Sequence, residues 1–480
     1  MTKPHRTLLI LLLAAYLLVG AAYAWLTPPW QVPDEPAHYN YIRQLAEHHR
    51  LPVMALGDYD QSYLERLTAE HFPPELSIER LEYEDHQPPL YYLLLAPLYA
   101  LSGGALRLLR LATLLFGAAA FFFTVKLVGE LFEGDESFAL FVGGLMAFVP
   151  QYVAITAGVN NDALGIALLA AWLWLGMRYL RGATSAWTVG LVTGLLLLTK
   201  GTGYITLPLL PLLLALRKRR AGFGWRPMAR EALRLALPVL LLGGMWGARN
   251  VALYGWPDFT GQLRHAQVVV GQPRTREWIA RMGAAAFLKQ AVVTTFRSFW
   301  GQFGWMGVVM DVRLYRAAAI LTALGGWGAL LSLAEAVGRK LPVRQRDGLL
   351  LLGAETALTV ALYLGYNVEF VQHQGRYLFP ALPALMLALA VGLRKLTEPS
   401  VARATASVLL LLFIALAAWG LWRGHLPLWT LGELGVAAFL LPAIAASGRR
   451  WRAVWGAGLL LLLYAWDWYA LFAFILPQLG

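Results

Sequence analysis

Asp34 and Glu35 stand side by side in the stretch Pro33-Asp34-Glu35-Pro36-Ala37-His38, directly after the first hydrophobic run. A carboxylate there can take a proton from a hydroxyl that comes within hydrogen-bond reach. It can equally do no more than cap the following helix, with Pro36 in the first turn. The two roles are compatible. Lys200 in Thr199-Lys200-Gly201, Arg376 in Gln374-Gly375-Arg376-Tyr377, and Arg249 supply cations suited to an anionic phosphate. Lys200 also fits a snorkelling anchor and Arg376 a headgroup anchor. His38, His86, Gln87, Asn161, Asp162, His373 and Gln374 complete the polar set. Of these, Asn161-Asp162 also fits a helix cap, and His86, ahead of Pro88-Pro89, a turn. A base beside cations suits transfer to a hydroxyl with a phosphate as leaving group. Phosphate leaves readily, so no dedicated general acid is required. His38 and His373 show no metal-ligand spacing, and no metal site is expected.

The elements that carry these residues are hydrophobic. Of 480 residues, 58% are hydrophobic and 14% charged, where soluble proteins carry about 25% charged residues. Mean hydropathy is +0.55. One all-α polytopic membrane domain follows. The net charge of +12 lies in short clusters between apolar runs, which argues against nucleic acid as a partner. Cysteine is absent, which excludes disulfides and thiolate metal sites.

Thirteen spans are expected: 8–26, 106–128, 138–157, 163–179, two within 187–216 that turn at Lys200, 233–253, 317–337, 349–368, 377–393, 404–422, 431–446 and 454–476. With the amino terminus cytoplasmic, Lys3/Arg6, Arg178/Arg181, Arg217 to Arg220, Arg339/Lys340/Arg344/Arg346, Arg394/Lys395 and Arg449/Arg450/Arg452 all fall inside. Residues 88–101 are short for a crossing, and counting them as one would place those clusters outside; a half-inserted helix is expected. Residues 36–51 read as an amphipathic interfacial helix with Tyr41, Ile42, Leu45, Ala46 and His49 on one face. The chain divides into a first span (1–27), an extracytoplasmic loop (28–105), spans (106–253), a second extracytoplasmic loop (254–315) and further spans (316–480). On this topology every polar candidate lies at the extracytoplasmic end of a span.

The acidic pair Asp34-Glu35 after the first span, His86-x-Pro88-Pro89-Leu90-Tyr91-Tyr92 closing the first loop, and Asn161-Asp162 after the third span resemble the GT-C superfamily of polyprenyl-phosphate-sugar-dependent glycosyltransferases. Protein O-mannosyltransferases, aminoarabinose transferases and oligosaccharyltransferase subunits belong to it. Thr199-Lys200-Gly201, Ser298-Phe299-Trp300-Gly301 and Gln374-Gly375-Arg376-Tyr377 add to the likeness, which reaches to about Pro383. It implies a GT-C helical bundle in a bacterial-type plasma membrane with an extracytoplasmic site. It further implies an inverting transfer from a polyprenyl-phosphate sugar to a hydroxyl of protein, lipid or glycan. Asp34 would be the base with Glu35 its competitor. Lys200, Arg376, Tyr377 and Arg249 would hold the donor phosphate. His38, His86, Gln87, Asn161, Asp162, His373 and Gln374 would shape the site. The second motif has one carboxylate where oligosaccharyltransferases use a metal-holding pair, so no cofactor is expected. A transporter or flippase of lipid-linked sugars is the runner-up reading; it would favour repeated halves and mid-membrane charges, which the sequence lacks. A non-catalytic scaffold would not need these residues on one face.

Overall fold

The computed structural model describes residues 2–222, 224–338 and 341–480, and the side chains of 449–451 are outside that description. Arg339 and Lys340 of one predicted cytoplasmic cluster therefore lie outside the described residues. The chain is helical almost throughout. Helix α1 (Lys3–Leu26) leads through a short loop to α2 (Glu35–His48), α3 (Gln61–Ala69) and α4 (Leu90–Ser102). Next come α5 (Leu106–Leu131), α6 (Glu136–Ala147), α7 (Pro150–Thr156), α8 (Asp162–Leu180) and α9 (Ala186–Leu197). A 3-10 turn over Gly201–Ile205 separates α9 from α10 (Thr206–Ala221), and α11 (Trp225–Tyr254) follows.

Among the described residues ten helices are long and apolar enough to cross a membrane, and the bent pair α6–α7 makes up to eleven. Helices α9 and α10 occupy the remaining two predicted spans but are shorter, at 12 and 16 residues. The chain is thus a polytopic helical membrane protein, as its composition requires.

The segment read as the second loop, 254–315, is largely helical. It forms α12 (Gln262–Val268), α13 (Thr275–Met282) and α14 (Ala284–Trp300), then a two-stranded hairpin pairing Gln302–Phe303 with Val308–Val309. The last helices, α15 (Val312–Gly338), α16 (Val343–Glu369), α17 (Leu382–Lys395), α18 (Pro399–Trp422), α19 (Leu428–Ala446) and α20 (Arg449–Ala470), complete the bundle. Helices α15 and α17 touch backbone to backbone: a Cβ on Gly328 would lie 2.1 Å from the carbonyl oxygen of Gly392. Small residues are what permit such approach between membrane helices.

The bundle has two chemically different ends. At one, the amino terminus and three basic segments converge on the acids of the α5–α6 corner. His5 meets Glu136 at 2.8 Å, Arg178 and Arg181 pair with Glu130, Arg344 with Glu133, and Arg394 with Asp135. Arg219 and Arg220 bind the buried Asp347 nearby in the chain order of α10 and α16. At the other end lie α2, α3 and α4. Helix α4 starts there, where Leu90 N–H donates to Leu198 O, and finishes there, where Tyr39 of α2 donates to Gly104 O. At 13 residues it is shorter than a full crossing requires. Helix α2 is not a free interfacial helix. Its Tyr41, Ile42 and Leu45 pack on Tyr91, Tyr92, Leu95 and Tyr99. It ends at His48, so His49 is an exposed cap in left-handed conformation and does not join the apolar face.

Candidate active site

Thr27, Pro28 and Pro29 end α1, and the chain reverses over residues 30–34 into α2. Asp34 occupies the N-cap position with φ +67°, yet its side chain makes no capping hydrogen bond. An L-residue in the left-handed region is uncommon and tends to mark a functional site. The turn sends the two adjacent carboxylates into different surroundings.

Glu35 goes inward. It is fully buried and forked onto Arg110 of α5, with Nε to Oε1 at 2.7 Å and Nη2 to Oε2 at 2.6 Å. The Trp30 and Val159 amides donate to the same carboxylate, each at 3.0 Å. Arg110 spends its other hydrogens on the carbonyls of Ala24, Thr27 and Pro28. Both oxygens of Glu35 are thus doubly bonded to donors, and it lacks the free lone pair and access a proton acceptor needs.

Asp34 goes to the site. It pairs with Arg376 and accepts from Tyr83 Oη at 3.0 Å. Burial pushes its carboxyl up, but the adjacent Arg376 guanidinium, helped by the Tyr83 hydroxyl, holds it below the usual carboxylate range. Arg376 also faces Asp162, Nη1 to Oδ2 at 3.9 Å, and its Nε donates to Gln374 Oε1 at 2.7 Å. Asp162, at the start of α8, is bound by Lys200 Nζ at 2.8 Å. Lys200 also donates to Asn161 Oδ1 at 2.9 Å, and Asn161 Nδ2 reaches Gln87 Oε1 at 3.2 Å. The cap of α8 is made by Asn160, whose Oδ1 accepts from the Asp162 amide, so Asn161 and Asp162 are released toward Lys200. His38 Nδ1 is 2.8 Å from Tyr92 Oη; burial first, then Lys200, lowers its pKa to about 3, so it is neutral. His86 rests on the Tyr83 carbonyl and against the His265 ring, and burial holds it well below the ordinary imidazole value.

Asp34, His38, His86, Gln87, Asn161, Asp162, Lys200, Gln374 and Arg376 therefore form one connected set drawn from distant segments. Tyr377 belongs to its wall, with the Arg376 guanidinium 5.2 Å above its ring. Arg249 and His373 do not join the hydrogen-bonded set. Arg249 lies over Trp246 and donates to the Pro52 carbonyl and Asn250. His373 packs on Phe287 and presents its backbone carbonyl to Ser298. Arg110 and Tyr83 carry the arrangement without having been singled out by the sequence, and Tyr92 does so from within the motif that begins at His86. Of the first two, only Arg110 left a signal, an arginine inside an apolar span. Among the described residues no group of three or more His, Asp or Glu side chains could hold a metal ion.

A narrow cleft opens beside Asp162 and Lys200, lined also by Thr202, Ile166, Leu169 and Leu196 with Gly165, Gly203 and Pro380. Its lining combines that charged pair with apolar side chains.

Residues 86–242 match the family model described as dolichyl-phosphate-mannose-protein mannosyltransferase. That segment begins at His86 and takes in Gln87, Asn161, Asp162 and Lys200. No curated protein matches the chain. Two solved structures are similar, both of ArnT from Cupriavidus metallidurans. The one bound to undecaprenyl phosphate has TM-score 0.47 and 18% identity, and the apo one 0.48 and 17%. In each, the alignment covers 91% of this chain and 76% of that one. The family match thus falls on the segment of this polytopic helical chain that carries His86, Gln87, Asn161, Asp162 and Lys200, and there the chain is similar to dolichyl-phosphate-mannose-protein mannosyltransferases.

Proposed function

We propose that the protein is an inverting glycosyltransferase that moves a sugar from a polyprenyl-phosphate donor to an acceptor hydroxyl at the extracytoplasmic membrane face. The observation that carries this reading is the convergence of Asp34, Asp162, Lys200 and Arg376 in one ion-paired set, with Asp162 and Lys200 lining a cleft beside apolar side chains. A lipid phosphate needs both halves: cations for its head and an apolar wall for its chain. The family description, naming a dolichyl-phosphate sugar, supports the same donor class.

Without substrate, the two cations are engaged by Asp34 and Asp162. A donor phosphate competes for both. As Arg376 turns to the phosphate, Asp34 loses the partner that depresses its pKa and becomes a better base. Asp34 then takes the proton of the acceptor hydroxyl. The acceptor oxygen bonds to the anomeric carbon, the carbon–phosphate-oxygen bond breaks on the opposite face, and the phosphate keeps the electron pair beside Lys200 and Arg376. The anomeric configuration inverts. Glu35 holds the frame. Arg376 sits between Asp34 and Asp162, where a divalent ion would otherwise bridge them, so the transfer is proposed to run without metal. The cationic segments at the opposite end, with the amino terminus among them, support a cytoplasmic placement of that end. The acceptor is an unspecified hydroxyl compound.

The test is release of free polyprenyl phosphate by purified protein from polyprenyl-phosphate sugars and candidate acceptors. Release by the wild type, lost in Asp34→Asn with folding intact and unchanged by a chelator, is expected. Release unchanged in Asp34→Asn overturns the assignment of the base. Vectorial movement of intact donor across liposomes, without release, overturns the transferase.

A further inference from the structure

The segment 83–87 is fixed residue by residue. Tyr83 donates to Asp34, Asp85 accepts from Gln44 at 3.0 Å, His86 leans on the Tyr83 carbonyl, and Gln87 meets Asn161. The Gln87 amide closes the turn on the Glu84 carbonyl at 2.8 Å. Glu84 is the exception within this frame. Its Oε2 is buried and has no hydrogen-bond partner. A buried, unpaired carboxyl oxygen costs stability and calls for an explanation.

The groups acting on Glu84 supply one. Gln87 bonds to its carboxyl and the charges of Asp34, Lys200 and Arg376 act on it, and it acts in turn on Tyr83, Tyr92, Tyr366 and Asp85. The proposed function puts the donor phosphate at Lys200 and Arg376 and the acceptor oxygen at Asp34. The anomeric carbon must lie between them, which sets the transferred sugar ring beside Asp34, one of the groups acting on the Glu84 carboxyl. Tyr59 stands edge-on to Tyr83, with ring centroids 5.5 Å apart, and Tyr366 to Tyr377, 6.2 Å apart. Aromatic edges and one unsatisfied carboxyl are the ingredients of a carbohydrate subsite.

We propose that Glu84 is a sugar-binding residue whose unpartnered carboxyl oxygen hydrogen-bonds a hydroxyl of the transferred sugar. This rests on the phosphate and base assignments above. The protonation follows from the surroundings: burial first, then the Asp34 charge, outweigh Lys200, Gln87 and Arg376 and push the carboxyl up to about 8. Below that value it donates. Above it, a carboxylate faces Asp34 and the donor phosphate, and binding weakens as pH rises.

The experiment measures equilibrium binding of bare polyprenyl phosphate and of the same lipid carrying mannose or glucose. Wild type, Glu84→Ala, Glu84→Gln and Lys200→Ala are compared from about pH 6 to about pH 9. Wild type is expected to hold one sugar-bearing lipid about tenfold more tightly than the bare lipid, one good hydrogen bond's worth. Glu84→Ala erases that preference and leaves bare-lipid affinity unchanged. Glu84→Gln, which still donates, keeps it and retains it at the alkaline limit where wild type loses it. A preference that survives in Glu84→Ala, or one absent from wild type, overturns the proposal. Loss in Glu84→Ala with bare-lipid binding indifferent to Lys200→Ala would keep the sugar contact and overturn the phosphate assignment instead.

Discussion

Asp34 and Glu35 are joined by one peptide bond and live in opposite regimes. On the Glu35 side every donor and acceptor is spoken for, water is excluded, and an arginine fork ties three carbonyls of the α1 exit to α5. On the Asp34 side the same residue types, a carboxylate and an arginine, are partly open, share partners with Lys200 and Asp162, and can be rearranged by an incoming anion. The difference teaches that an ion pair's role is set by how many alternative partners its members have. Saturated pairs stabilise one arrangement; unsaturated pairs can exchange.

The comparison can be broken by swapping which side is damaged. Arg110→Ala leaves Glu35 charged, buried and unpaired, a change that costs about 3–5 kcal/mol, a large share of the roughly 5–15 kcal/mol that holds a domain folded. Thermal unfolding in detergent should show a collapse in stability or a failure to express as folded protein. Replacing both partners, Glu35→Gln with Arg110→Met, should recover much of that loss. Asp34→Asn should do the converse. Transfer falls about 10²- to 10⁴-fold, the range for a lost general base, while the melting profile stays close to wild type. Should Asp34→Asn unfold the protein, or Arg110→Ala leave stability intact, the contrast is wrong.

Smaller effects sharpen it. Lys200→Ala removes one charge-assisted contact to the phosphate and should weaken polyprenyl phosphate binding about 10- to 100-fold, with little change in stability because Asp162 keeps Arg376 nearby. The smallest effect is in acid. The folded Asp34 has a depressed pKa, so its contribution to stability is present above the ordinary carboxylate value and is lost as pH falls through the folded one. Acid unfolding curves of wild type and Asp34→Asn should converge at low pH, and a separation that widens there would contradict the ion pair.

Much of this architecture was legible in the sequence. Runs of apolar residues bounded by basic clusters place most spans, because the bilayer fixes both lengths and flanks. The short run at 88–101 forms a helix of 13 residues, short for a crossing as its length in the sequence suggests. Asp162, Lys200 and Arg376 are recognisable as polar residues at span ends. The division of labour between Asp34 and Glu35 is not legible, because it depends on a left-handed turn at a non-glycine residue and on Arg110, which sits 75 positions away from Glu35. Arg249 and Lys200 look alike in sequence and differ only in what lies opposite. Glu84 is one acid among nine between 52 and 87, and only the pairing of its neighbours singles it out. Helices α12 to α14 escaped notice because short surface helices with mixed polarity carry weak periodicity.

Arg376 follows its partner Asp34 by 342 residues. At ribosomal speeds of about 5–20 residues per second, roughly 20 to 70 s separate the emergence of the two side chains. Throughout that interval a nascent chain already holds its first spans in the lipid but has no complete centre. A chain that stops before position 376 therefore lacks the Asp34–Arg376 pair, and the set is joined only late in the making of the polypeptide.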